Sequence, residues 1–329
     1  MAFASTTLIR RGVLRLCAGA LLCASAGFAS AQTESTARLL VGFPPGGSAD
    51  LIARLMADKL QGVLKRTVLV ENKPGAGGRL VVESIKNAPA DGSVMMIAPE
   101  TISTTAPIVF KKLTYDPAKD YVPVSLLVRF PFALAVGSDP KVATFAEYVQ
   151  WAKANPTKAN FGSPAPGSPP HFFGLLIGKN IGVDMVHVPF LGTAPIVTNL
   201  AGGQISSGIS SAGDLLEHHR GGRIRVVAVS SENRMPQLPD VPTFIELGFP
   251  EAVGTGFYAL YAPPKTSAAT IQQWNQAVRQ VLAMPDVQEK FHAMGLQPSA
   301  TTPEEVTRLT AQGVAKWGPI IRSSGFSLD

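Results

Sequence analysis

"VSLLVRFPFALAVGSD", Val124 to Asp139, is an almost unbroken apolar run with a proline at its centre. A strand buried on both faces reads this way. Pro131 cannot donate to a strand ladder, so it marks a bend or a change of sheet. The stretch therefore predicts a crossing between two lobes. A second stretch, "GTGFYALYAPP" from Gly254 to Pro264, has the form of a return crossing. Two crossings build one lobe from both ends of the chain and insert the other. Lobe 1 is expected over 37–132 plus 254–329, and lobe 2 over 133–253, with a cleft between them. Phe130, Phe132, Phe257 and Tyr258 fall at the proposed hinge.

Outward from that run, short apolar stretches alternate with helical patterns, as in α/β folds. Strands are expected over 38–43, 67–71, 94–98, 124–136, 158–162, 185–189, 204–209, 225–230 and 256–262. Helix starts carry usable punctuation. Thr144 with Glu147 and Thr302 with Glu305 form capping boxes. Pro169 and Pro303 sit at first helical positions. Leu51, Ile52, Leu55, Met56 and Leu60 make an apolar stripe at helical spacing.

The N-terminus reads as an export leader over 1–31. Arg10, Arg11 and Arg15 precede an apolar stretch from Leu16 to Phe28, and Ala29-Ser30-Ala31 forms a cleavage site. "RRGVLR" leaves Sec and Tat export both open. Leu22 before Cys23 argues against a lipoprotein signal. The expected location is the periplasm. Both cysteines, Cys17 and Cys23, lie in the leader. A mature chain without cysteine excludes disulfides, thiol catalysis and thiolate metal sites. The net charge of +6 falls to +3 without the three leader arginines. With no basic run interleaved with aromatics, nucleic acid is not an expected partner.

Four helix starts are rich in small residues: "PPGGSAD" (44–50), "PGAGGR" (74–79), "PAPGSPPH" (164–171) and "FLGTAPI" (190–196). Helix N-termini present unpaired N–H groups and partial positive charge, so they draw carboxylates and phosphates. Any α/β protein has some such caps, and neither the dinucleotide nor the P-loop pattern occurs. Asp50 is expected to fix the first loop by pairing with Arg54, not to touch a ligand. The histidines lack metal-site spacing. Among them only His171 is expected near a pocket, with a structural histidine as the equal alternative, and His218 and His219 are expected on a solvated helix end. "GISSAG", from Gly208, misses the G-x-S-x-G elbow by one residue, which leaves a hydrolase using Ser210 or Ser211 as a rival reading. Anion-cradling loops with little catalytic apparatus point to binding without chemistry: no enzyme, no cofactor and no metal.

The pieces "FPPGGSADLIARLMADKL", "VLVENKPGAGG", "LTYDPAKDYVPVSLL", "HVPFLGTAPIVTNLAGGQI" and "RIRVVAVSSENRMPQLPDVPTFIELGFP", in that order, resemble the solute-binding proteins of tripartite tricarboxylate transporters, the TctC-like Bug family. The resemblance runs over nearly the whole mature chain. It implies a periplasmic-binding-protein "Venus flytrap" of two α/β lobes joined by two hinge crossings. It implies a small carboxylate ligand in the interlobe cleft, membrane permease subunits as partners, and a monomer. Some family members serve signalling partners, so a ligand-sensing subunit is a further alternative. Matched residue by residue, the ligand-binding positions are Phe43, Pro44, Pro45, Gly46, Gly47 and Ser48 on the first lobe. On the second they are Ser163, Ala165, Gly167, Ser168, His171, Phe190, Gly192, Thr193 and Ala194. The chain departs from the family pattern at Phe190-Leu191-Gly192, where Tyr-Lys-Gly is common, at Ser210 in place of an acid, and at Leu175 in place of Glu. These departures imply a more apolar, aromatic type of carboxylate.

Overall fold

The computed structural model describes residues 36–329. The leader expected over 1–31, with its cysteines and cleavage site, lies outside the described residues. The first half opens on three parallel strands, β1 (Ala37–Val41), β2 (Val68–Asn72) and β3 (Val94–Pro99), with β1 between the others. β3 is buried at every position, which is why "VMMIAP" is continuously apolar and does not alternate. α1 (Ser48–Leu64) buries Ile52, Met56 and Leu60 against this sheet. Leu51, expected in the same stripe, is instead exposed. α2 (Arg79–Lys86) and the short α3 (Ala106–Val109) complete this part.

β4 (Val122–Val136) is the spine of the fold. Up to Pro131 it pairs antiparallel with β9 (Thr255–Ala262), the last pair being Pro131 with Thr255. From Phe132 it pairs with β7 (Ser207–Ser211), and from Ala133 also with β8 (Arg225–Val229). The partner switch thus falls between Pro131 and Phe132, where the missing proline N–H ends the donor ladder. β7 continues to β5 (Asn160–Ser163) and β6 (Val186–Pro189), both parallel. β9 pairs antiparallel with β3, joining the two halves of a ten-stranded sheet. The result is two α/β lobes joined by crossings at β4 and just before β9.

Ser230 ties the crossings together. It is fully buried. Its Oγ accepts from the Phe132 N–H at 2.8 Å and donates to the Gly254 carbonyl at 2.5 Å. Its backbone exchanges further bonds with Phe132 and Gly254.

The second half carries α4 (Phe145–Ala154), α5 (Pro169–Ile181), α6 (Thr193–Ala201) and α7 (Ala212–Arg220). The expected caps form: Thr144 accepts from the Glu147 N–H at 3.2 Å, and Thr302 from the Glu305 N–H at 3.3 Å. After β9 come α8 (Ala268–Leu282), α9 (Pro285–Ala293), β10 (Gln297–Pro298) and α10 (Pro303–Ser324). β10, two residues paired with Val128 and Arg129, was not foreseen, because so short a strand has no period to read. The C-terminal segment touches both sides of the β4 switch, the Leu328 N–H donating to the Val109 carbonyl at 2.8 Å on the first side. Trp317 of α10 packs 6.3 Å from the Phe173 ring of α5, and Phe326 lies edge-on to His171 at 4.4 Å.

Candidate functional site

A cavity of about 440 Å³ lies at the β4 switch, lined from both sides. Its size suits a small molecule. The floor is the hinge itself. Phe130 stands 5.8 Å from Phe132 and 5.4 Å from Tyr258, ring centre to ring centre. Gly256 makes room for these rings, since a Cβ there would come within 2.6 Å of Phe130. The walls are three loops that each open a helix. The loop from Phe43 to Ser48 precedes α1, Ala165 and Ser168 precede α5, and Gly192, Thr193 and Ala194 open α6.

The first loop is held from behind. Gly46 has a φ of 89°, a left-handed conformation that favours glycine. Its N–H donates to Asp50 Oδ2 at 3.0 Å, which also receives Arg54 Nε at 2.8 Å. Asn72 Nδ2 donates to Asp50 Oδ1 at 2.9 Å and to the Phe43 carbonyl at 3.1 Å. Burial pushes the Asp50 carboxyl up, but the bonds from Arg54, Gly46 and Asn72 outweigh it and hold the pKa below the usual range. Asp50 therefore shapes the loop. The N–H groups of Ser48 and Ala49 in α1, and of Thr193 and Ala194 in α6, have no acceptor among the described residues. Two helix N-termini, one from each lobe, thus turn free donors toward one space.

The side chains there are charged in an unforeseen way. The Ser48 hydroxyl donates to Asp214 Oδ1, a bond that crosses the cleft. Thr193 Oγ1 donates to Asp214 Oδ2 at 3.0 Å and pairs with Ser210 Oγ at 2.6 Å. These hydroxyls serve the protein's own carboxylate, and a ligand is left the backbone donors. Burial raises the Asp214 pKa, opposed by the Ser48 and Thr193 bonds and the His218 charge. Glu100, after β3, also lines the cavity, and burial pushes it up to about 8 against the lowering pull of Lys316. No lysine or arginine is among the described residues of the lining. Neither acid was foreseen: each sits in a segment with no motif, and only the fold brings them together.

Four expected site residues do not reach the cavity lining. Ser163 is fully buried and bonds His187 Nε2 at 2.8 Å. His171 is buried and stacks on His187 with ring centres 3.8 Å apart. Gly167, at φ 78°, donates its N–H to His171 Nδ1 at 3.2 Å. Phe190 packs into the apolar cluster around Ile196 and Leu200. These residues form a layer that supports the α5 and α6 starts. Burial lowers His171 to about 3, helped by the His187 charge, and lowers His187 to about 4. His218, expected on a solvated helix end, instead lines the cavity. The 74–79 loop stands behind Phe43, whose ring lies 3.2 Å from where a Gly78 Cβ would be, and is not part of the lining. Ser210 has the Thr193 hydroxyl as its partner, not a base, and Ser211 Oγ is buried without one. Among the described residues, the hydrolase reading gains no nucleophile–base pair at the cavity.

A family model described as the tripartite tricarboxylate transporter family receptor matches residues 52–326. Protein BugT of Bordetella pertussis is 31% identical over 315 residues, 93% of this chain and 95% of the relative. A solved protein of R. palustris with adipate superposes with a TM-score of 0.84 at 28% identity, covering 89% of this chain and 98% of its own. MatC from Rhodopseudomonas palustris with bound malate superposes with a TM-score of 0.80 at 27% identity, covering 87% and 98%.

Proposed function

The chain belongs to the tripartite tricarboxylate transporter family of receptors, and from that premise we propose that it captures a small carboxylate in the interlobe cavity. The observation that carries this is the convergence of two helix starts from opposite lobes, with free N–H groups at Ser48, Ala49, Thr193 and Ala194. A carboxylate accepts from such donors at no cost in reorganisation. The sites are Phe43 to Ser48, Ala165, Ser168, Gly192, Thr193 and Ala194, with Ser163, Gly167, His171 and Phe190 supporting them. The chain acts after export to the periplasm and cleavage behind Ala31, as a monomer that delivers its ligand to membrane permease subunits. Lobe 1 comprises 37–132 and 254–329, and lobe 2 comprises 133–253. The two relatives carrying adipate and malate support the ligand class.

A thermal-shift panel of mono-, di- and tricarboxylates tests the reading. A ligand at about a hundred times its Kd should stabilise the protein by roughly 2.7 kcal/mol. No shift with any carboxylate would sink it.

A further inference from the structure

The carboxylate reading leaves the rest of the cavity unexplained, and its charge is unusual for an anion site. The lining holds two carboxyls, Glu100 and Asp214, and no lysine or arginine among the described residues. Asp214 lies on the second lobe and is held by hydroxyls alone, those of Ser48 and Thr193. Glu100 comes from the first lobe, is 5% exposed, and its carboxyl has no hydrogen-bond partner among the described residues. Lys316, whose charge reaches Glu100, spends its ammonium on the Val253 carbonyl and forms no ion pair with it. A second ligand carboxylate would therefore add negative charge beside Asp214 with no lysine or arginine among the described residues of the lining to offset it. A ligand ammonium would instead pair with Asp214, and Glu100, which lines the cavity with no side-chain hydrogen bond among the described residues, would take part by giving up its proton.

We propose that the ligand is a net-neutral amino-carboxylate, its carboxylate on the two helix starts and its protonated nitrogen against Glu100 and Asp214. The inference rests on the carboxylate reading above and narrows it. The Phe130, Phe132 and Tyr258 floor takes an apolar or aromatic body and adds cation–π attraction for the nitrogen. Lys316 and Tyr261 face Glu100, and His218 and Tyr258 face Asp214. With Glu100 at about 8 in the free protein, an arriving ammonium expels its proton, so binding at neutral pH releases protons to buffer.

The test is calorimetric titration of the purified protein with matched probes. L-phenylalanine and L-leucine are set against their deaminated twins phenylpropanoate and isocaproate, the decarboxylated twin phenethylamine, and adipate and malate. The amino acids are expected to bind at least about tenfold tighter than their deaminated twins, as for a buried charge-assisted bond. Their heats should depend on buffer in the sense of proton release. Glu100→Gln and Asp214→Asn should each shrink that preference by about tenfold while the deaminated acids still bind. If the deaminated acids or the dicarboxylates bind as tightly as the amino acids, or with proton uptake, this inference falls and the carboxylate reading stands. If phenethylamine binds and no acid does, the carboxylate reading itself falls. If no probe binds, both fall. The wild-type comparison decides the matter even where a variant does not fold.

Discussion

Ser48 and Asp214 join the two lobes by a side-chain bond across the cleft. Ser48→Ala removes it and should weaken ligand capture by about 1.5–3 kcal/mol, the worth of one bond to a charged group. Because the hydroxyl acts through Asp214, Ser48→Ala should cost far less in an Asp214→Asn background, and a double-mutant cycle by calorimetry checks this. His171 and His187 give a second prediction. Their folded pKa values, about 3 and about 4, lie below the ordinary 6.5. Between those values the unfolded chain binds protons that the folded one refuses. Stability from this pair is therefore whole above about pH 6.5 and falls as pH drops, by up to about 1.4 kcal/mol per unit per histidine. His171→Asn, which offers an acceptor near the place of Nδ1 for Gly167, should flatten that slope in urea titrations at pH 7, 6 and 5. An unchanged slope would contradict it. At this scale the sequence was most legible where backbone geometry is local. Gly46, Asp50 and the Ser48 start could be read from "PPGGSAD" because their partners lie within a few residues. Glu100 and Asp214 could not, since each meets the site only through a fold that joins segments more than a hundred residues apart.

Among the elements, β4 carries the architecture, and its switch was legible because Pro131 is a chemical interruption of a ladder and not a matter of propensity. The caps at Thr144 and Thr302 were legible for the same reason. Strand limits and the exposure of Leu51 were not, since both depend on which neighbours the tertiary fold supplies. Ser230 escaped notice because a lone serine at a strand end has no pattern. Ser230→Ala would leave the buried Phe132 N–H without its side-chain acceptor and cut one bond to Gly254. A cost of about 1–3 kcal/mol in urea denaturation is expected. A change below a few tenths of a kcal/mol would show that the crossings do not depend on this tie.

At the scale of the whole molecule, two lobes meet over an aromatic hinge that is also the cavity floor, so ligand contact and lobe closure involve the same residues. A bound carboxylate touching both helix starts should draw the lobes together, and small-angle scattering should show a smaller radius of gyration with ligand than without. The C-terminal segment meets Val109 through Leu328 on one side of the switch, and Phe173 and His171 through Trp317 and Phe326 on the other, so closure must slide or preserve those contacts. The proposed hold of the turn before α1 on the ligand joins these scales. Gly47 tests it most directly. Its φ of −83° suits any residue, and a Cβ there would meet only the Pro44 carbonyl at 4.0 Å, so the fold does not need a glycine. The proposed binding does, because the side chain would project at the cavity lining beside the Ser48 and Ala49 N–H groups that are proposed to hold the carboxylate. Calorimetric titration of Gly47→Val beside wild type, with a carboxylate that stabilises the wild type, should show an unchanged melting temperature and no heat of binding. Wild-type affinity in Gly47→Val would contradict the assignment and move the ligand to another part of the molecule.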